Sequence, residues 1–256
     1  MKKISVILIL ITSFCCSILS GQKLTTFTNY AFIGSSHNTG LTSFFTDYSP
    51  RRVATESLTI SGLDAYVSTK SSTTDQSFCI RVLSSSTYTR NRKVELSGLA
   101  ASLLGTQSIS PGMANFITNI NSVIDNNYIF GSAKLTAAFA SLEVSIANNI
   151  TLTATEKGIL LGAISTAKSS EQYWNANYAR LKAAWLKSTK PVIAPEKRIL
   201  KADVAGAVSG GVAGAVIGGT VGTPIGAVPG WVAGAVTGGV SGSVYEAVSQ
   251  FLDWLW

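Results

Sequence analysis

The spacing of apolar residues changes several times along the chain, and each change marks a different kind of segment. Residues 4–19 carry no charge; they follow Lys2 and Lys3 and precede the small pair Ser20-Gly21. A basic start, a short apolar run and small residues before polar Gln22 predict a secretory signal peptide over residues 1–21. The uncharged run is shorter than the ~20 residues a membrane-spanning helix needs. Residues 22–93 are rich in Ser and Thr and have no long period. The runs 55–69 and 76–84 fit a short helix or a strand equally, because periodicity does not separate the two at this length.

From 94 to 188 the period becomes helical. Ser110 followed by Pro111 predicts an N-cap and first helical residue, with the helix ending near Asn126 and Asn127. Ser132 is placed to cap a second helix whose Leu135, Ala138, Phe139, Leu142 and Ile146 recur at spacings of three and four. Thr153 and Glu156 have the spacing of a capping box, and Leu160, Leu161 and Ile164 follow on one face. Ser170 is expected to open a last helix, whose Tyr173, Trp174, Tyr178, Leu181 and Trp185 form a core stripe. Short loops between amphipathic helices predict a bundle. Residues 189–201 contain Pro191, Pro195, Lys190, Lys197, Arg198 and Lys201, and read as a basic linker.

The tail, 202–256, carries the strongest signal. Gly206, Gly210, Gly214, Gly218, Gly222, Gly226, Gly230, Gly234, Gly238 and Gly242 recur every four residues without a miss. An eight-residue unit repeats as well: VAGAVSGG from Val204, VAGAVIGG from Val212 and VAGAVTGG from Val232. Glycine inside a helix costs about 1 kcal/mol relative to alanine, so a register this long needs a gain to offset it. Residues four apart lie along one side of a helix, where a glycine stripe lets another backbone approach closely. Pro224 and Pro229 interrupt the run, which predicts two arms, 203–222 and 230–250, each about 30 Å long. The fold class expected is therefore mainly α: a helical bundle followed by a Gly-rich hairpin, with the secondary structure of 22–93 left open. The zipper positions are Gly206, Gly210, Gly214, Gly218, Gly222, Gly230, Gly234, Gly238 and Gly242. A branched side chain at Gly214 or Gly234 should separate the arms, whereas Ser209, off the register, should tolerate one.

Composition narrows the function. Charged residues are only 13% of the chain, hydrophobic ones 46%, and mean hydropathy is +0.31. Those values exclude intrinsic disorder, which needs high charge and low hydrophobicity. The net charge of +7 points to an anionic partner, and seven of the basic residues cluster between Arg180 and Lys201, next to the apolar tail. That neighbourhood favours an anionic lipid bilayer over nucleic acid. Trp231, Trp254 and Trp256 would sit at its interfaces with Lys190, Lys197, Arg198 and Lys201. Asp203 suits a helix N-terminus, and Glu246 must reach an interface or a polar lumen.

Chemistry is scarce. His37 is the one histidine in the chain, so no site can use two imidazoles. Cleavage of the signal peptide would remove Cys15 and Cys16 and leave Cys79 without a disulfide partner, in the apolar setting of a small buried hydrophobe. A Cys79–His37 dyad has no orienting group in view. His37 and Asn38 precede a helix expected near Thr42, and are read as a turn or a site, with Asn38 able to adopt φ > 0. No phosphate loop, metal set or Ser/His/Asp order is assembled, so no cofactor is expected and the chain reads as a non-enzyme.

Residues 202–248 resemble the glycine-zipper membrane segments of unmodified bacteriocins, whose helices pair through GxxxG. In place of the double-glycine leader of those peptides stands the predicted signal peptide, which implies the general secretory route. The longer arrangement is similar to uncharacterised exported bacterial proteins: Ile33-Gly34-x-x-His37-Asn38-x-Gly40-Leu41, a helical middle with Glu156 and Tyr173-Trp174, then a Gly-rich end. The tail resemblance and the basic cluster together lead to the expectation of a bacteriocin-like protein, secreted or in the cell envelope, that engages anionic lipid and whose Gly faces pair within one molecule or between copies as a homo-oligomer. The exported family implies no established activity. The rival expectation is a cell-envelope structural or interaction protein whose zipper packs internally.

Overall fold

The local signals that start helices act where their chemistry requires. The computed structural model describes residues 30–47, 81–82, 84–85, 95–129, 132, 134–186, 197–218 and 229–252. Among them are seven helices of ten or more residues and no strand: α1 Ala31–Asp47, α2 Leu96–Gly105, α3 Pro111–Asn127, α4 Lys134–Asn148, α5 Ala154–Leu186, α6 Lys197–Gly218 and α7 Gly230–Leu252. Ser110 caps α3 by accepting from the Met113 amide at 3.1 Å, with Pro111 at the first helical position. The Ser132 hydroxyl accepts from the Lys134 amide at the start of α4.

At α5 the capping box closes in both directions. The Glu156 amide donates to Thr153 Oγ1 at 3.1 Å, and the Thr153 amide donates to Glu156 Oε2 at 2.9 Å. Glu156 Oε1 accepts from the Ser110 amide at 2.9 Å, so one carboxylate ties the starts of α3 and α5 together. Glu156→Ala should cost about 1–2 kcal/mol, because it removes a cap and a tie between two helix starts at once. Urea melts of the two chains measure it, and an unchanged midpoint would deny the carboxylate that role.

Three expectations about helix limits are corrected. Residues 197–201, read as part of a basic linker, are the first residues of α6, so that arm does not start at 203. Ser170 does not open a helix, since α5 runs through it for 33 residues. The side chain has another use, bonding to Asp203. His37 and Asn38 lie in the interior of α1, not in a turn before Thr42. Ile33 and Leu41, one turn on either side of His37, share its buried face. Lys190, Gly222, Gly226, Trp254, Trp256, Cys15, Cys16 and Cys79, and the side chain of Trp185, lie outside the described residues.

One continuous cluster of buried side chains draws on all seven helices. The hairpin of α6 and α7 is part of that cluster, packed by α1 and α5, with α2 and α3 touching α6. The stripe predicted on α5 is core: Tyr173, Trp174, Tyr178 and Leu181 are all buried, and Trp174 makes edge contacts with Phe45, Tyr173 and Tyr178. From Gly162 to Ala167, α5 is buried on every side.

Candidate functional site: the zipper hairpin and the polar cluster beneath α1

The arms of the hairpin are antiparallel and meet in a single register. A Cβ added to Gly206 would overlap the Gly238 carbonyl, one on Gly210 the Gly234 carbonyl, one on Gly214 the Gly230 carbonyl, and one on Gly242 the Ala202 carbonyl. Gly234 and Gly238 return the relation toward Gly210 and Gly206. Each carbonyl of one arm thus lies where the other arm has no side chain, the geometry of a Cα–H···O contact. Gly218 ends α6.

The third glycine of the repeated unit, the second of its GG pair, faces elsewhere. Gly211 lies against Ile159 of α5, and Gly239 against Thr166 of α5, His37 of α1 and the Asp203 carbonyl. The doubled GG therefore serves two surfaces, one for the opposite arm and one for the helices that cover the hairpin.

The Ile33–Leu41 motif is the docking face of α1. Ile33 enters a seat made by Gly162 of α5, Gly34 lies on Ser165 and Ser169, and Gly40 lies on Val240 of α7. At the centre His37 is fully buried, as are Asp203 and Ser243. His37 Nε2 is 3.1 Å from Ser243 Oγ and 3.7 Å from Asp203 Oδ2, while Nδ1 is 3.0 Å from Asn38 Oδ1. Asn38 Nδ2 donates to the Ser169 carbonyl at 2.8 Å. Asp203 is hydrogen-bonded through Oδ2 to Ser170 and through Oδ1 to Ser243. Four helices contribute to this cluster: α1, α5, α6 and α7.

Burial governs its protonation. It lowers the His37 imidazole to about 4, against a smaller opposing effect of Asn38. It raises the Asp203 carboxyl to about 8, opposed by the hydroxyls of Ser170 and Ser243 and helped by Glu246. Burial likewise raises Glu171, whose Oε2 accepts from Thr136. Glu171 Oε1 is buried without a hydrogen-bond partner among the described residues, and the buried Trp174 indole N–H faces the Asp203 carboxyl and favours its charged form.

A Ser, a His and an Asp are now adjacent, but in an order that differs from a hydrolase triad. There the imidazole stands between hydroxyl and carboxylate; here Ser243 Oγ bonds to both His37 and Asp203, and the second imidazole nitrogen faces Asn38. Among the described residues no group of three His, Cys, Asp or Glu is placed to hold a metal ion.

Of the residues expected at a bilayer interface, the four that are described each have a partner within the chain. Trp231 is 7% exposed, and its indole lies over Gly158. Lys201 pairs with Asp125 at 2.8 Å, Lys197 donates to the Asp125 carbonyl, and Arg198 pairs with Glu246 at 2.9 Å. Asp125 lies in the last turn of α3, where a cation is favoured by the helix dipole. Glu246 thus meets an arginine in the first turn of α6. Comparison of the chain with protein-family models, curated proteins and solved structures finds no match.

Proposed function

We propose that this chain is an exported, non-enzymatic protein of the bacterial cell envelope that works through interaction, with its glycine zipper as an internal packing core. One observation carries the reading: the register glycines of each arm are occupied by the backbone of the other arm within the same chain. A face already filled is not offered to a second copy. The remaining sides support the same view, since Trp231, Val232, Ala235, Val244 and Ala247 are all buried. Reactive side chains beneath α1 have no exposed surface, which favours a structural role for them over turnover.

A second reading is favoured by a different observation. Lys197–Ile217 is apolar and long enough to cross a bilayer, with a mean hydropathy of 1.4. In that reading the protein is bacteriocin-like, and the hairpin leaves its covering helices to insert into anionic lipid. A buried core helix of a soluble protein has the same length and composition, and 83% of the most apolar stretch is buried here.

Detergent phase separation and vesicle flotation distinguish the two. The secreted chain, residues 22–256, should remain in the aqueous phase, sediment as a monomer, and stay unbound to phosphatidylglycerol-rich vesicles. Flotation with dye release would favour the inserting hairpin and overturn the internal-core reading.

A further inference from the structure

We propose that α1 is a strap that detaches from the hairpin as a unit, with the His37–Asn38 pair as a clasp that closes most tightly while it shares one proton with Asp203. Three features of the geometry lead there.

First, the zipper does not need α1. Its close contacts join the backbones of α6 and α7, while α1 lies outside them, over α7 and α5. Removing α1 would uncover Val240, Gly239 and Ser243 of α7 together with Gly162, Ser165 and Ser169 of α5, and leave the register intact. Second, adjacent residues fasten the strap to three other helices: His37 to Ser243 of α7 and Asp203 of α6, Asn38 to the Ser169 carbonyl of α5.

Third, the hydrogen bonds balance for one proton only. With the proton on Asp203, its O–H donates to Ser243, Ser243 donates to His37 Nε2, and His37 Nδ1–H donates to Asn38 Oδ1. With the proton on His37 instead, Nε2–H donates to Ser243 and Ser243 donates to Asp203. Either arrangement satisfies the chain. Remove the proton, and Ser243 cannot donate to both the carboxylate and Nε2, so a buried acceptor is left facing an acceptor. Add a second, and a buried imidazolium has no counter-charge. The charged and titratable groups around the clasp are Asp203 on α6, Glu246 on α7 with its partner Arg198, Glu171 and Tyr178 on α5, and Tyr128 beyond α3. Among the described residues, Asp203 is the carboxylate within 4 Å of the imidazole.

The direction of the pH dependence follows. A released strap returns His37 to 6.5 and lets water reach Asp203, which lowers its carboxyl below the imidazole, whereas the closed clasp keeps its proton until about pH 8. Between about pH 4 and 6.5 both states hold one proton, and pH has no effect. Between 6.5 and 8 only the closed state holds it, so rising pH opens the strap by about 30-fold in total.

Hydrogen exchange of residues 22–256, corrected for the intrinsic amide rate, tests this with α3 as internal reference. Amides of α1 should lose about 30-fold in protection from pH 5.5 to 9, about 8-fold of it between pH 6.5 and 8, level off above, and do so without those of α3. Asp203→Asn, which has no such proton to lose, should abolish that dependence. A staple provides an independent arm: a Cβ on Gly40 lies 3.6 Å from Val240 Cβ, within disulfide range. Gly40→Cys with Val240→Cys, in a Cys79→Ser background, should hold α1 closed at every pH when oxidised and restore opening when reduced. Parallel loss in α1 and α3, unchanged protection of α1 across pH 6.5–8, or failure of the staple to form would each overturn the strap.

Discussion

Replacing Gly210 with alanine is expected to destabilise the fold by about 3 kcal/mol, although the same exchange inside a free helix would stabilise it by about 1 kcal/mol. A Cβ at Gly210 overlaps the Gly234 carbonyl and comes within 3.0 Å of Gly238 Cα. Both obstacles are backbone, and neither can rotate away. Gly234→Ala meets the same limit from the other arm, and isoleucine at Gly214 or Gly234 should prevent the arms from closing at all. A graded series makes the test strict. Gly239→Ala, whose Cβ would meet side-chain atoms at 3.3 and 3.4 Å, should cost less, because side chains can shift by tenths of an ångström. Gly105→Ala, with nothing within 4 Å, should be neutral or gain up to about 1 kcal/mol. Chemical melts measure the order. Equal tolerance across the series would show that the arms do not touch through their glycines. Ser209, expected from the register to accept a large residue, is 1% exposed and belongs to the core, so it cannot serve as the permissive control.

Asp203→Ala should cost about 2–4 kcal/mol, since it removes the shared partner of His37, Ser170 and Ser243 and leaves buried polar atoms to find other partners. His37→Leu should cost a similar amount for the same reason. Together with Asp203→Leu it should cost clearly less than the sum, with a coupling energy of about 1–3 kcal/mol, because two apolar residues leave fewer unmatched groups than one. The two serines can turn to backbone carbonyls one turn back, as Thr166 and Ser241 already do. Asp203→Asn should be the mildest single change, as it keeps the shape and one acceptor. A double-mutant cycle in urea at pH 6 measures all of this. Strict additivity would mean that the side chains are adjacent without forming a network.

Legibility differed between the two parts of the site. The zipper was readable because its cause is a period: a four-residue register selects one face of a helix wherever the helix lies. The doubled glycine of each unit was also present as a signal, and Gly211 and Gly239 mark a second contact surface. The polar cluster had no such period. His37, Ser170, Asp203 and Ser243 are spread over more than two hundred positions, and their adjacency depends on how four helices cross. Asp203 read as a carboxylate at a helix start because α6 was expected to begin there; the helix begins at Lys197, which carries Asp203 into the second turn and inward. Ser170 read as a cap for a related reason, since a serine before an aromatic run looks the same whether the helix starts there or passes through.

By itself the sequence determined the helical class, the starts of α3, α4 and α5, the core stripe on α5 and the glycine register, all of which depend on residues within a turn or two of each other. Only the tertiary structure decided that the zipper closes within one chain, that the Ile33–Leu41 motif is a docked helix, and that Lys197 and Lys201 meet Asp125 while Arg198 pairs with Glu246. The reason is physical. Helix propensity, capping and periodicity are short-range and written in neighbouring residues, whereas which face meets which, and what burial does to a histidine and an aspartate, depends on the packing of helices far apart in the chain.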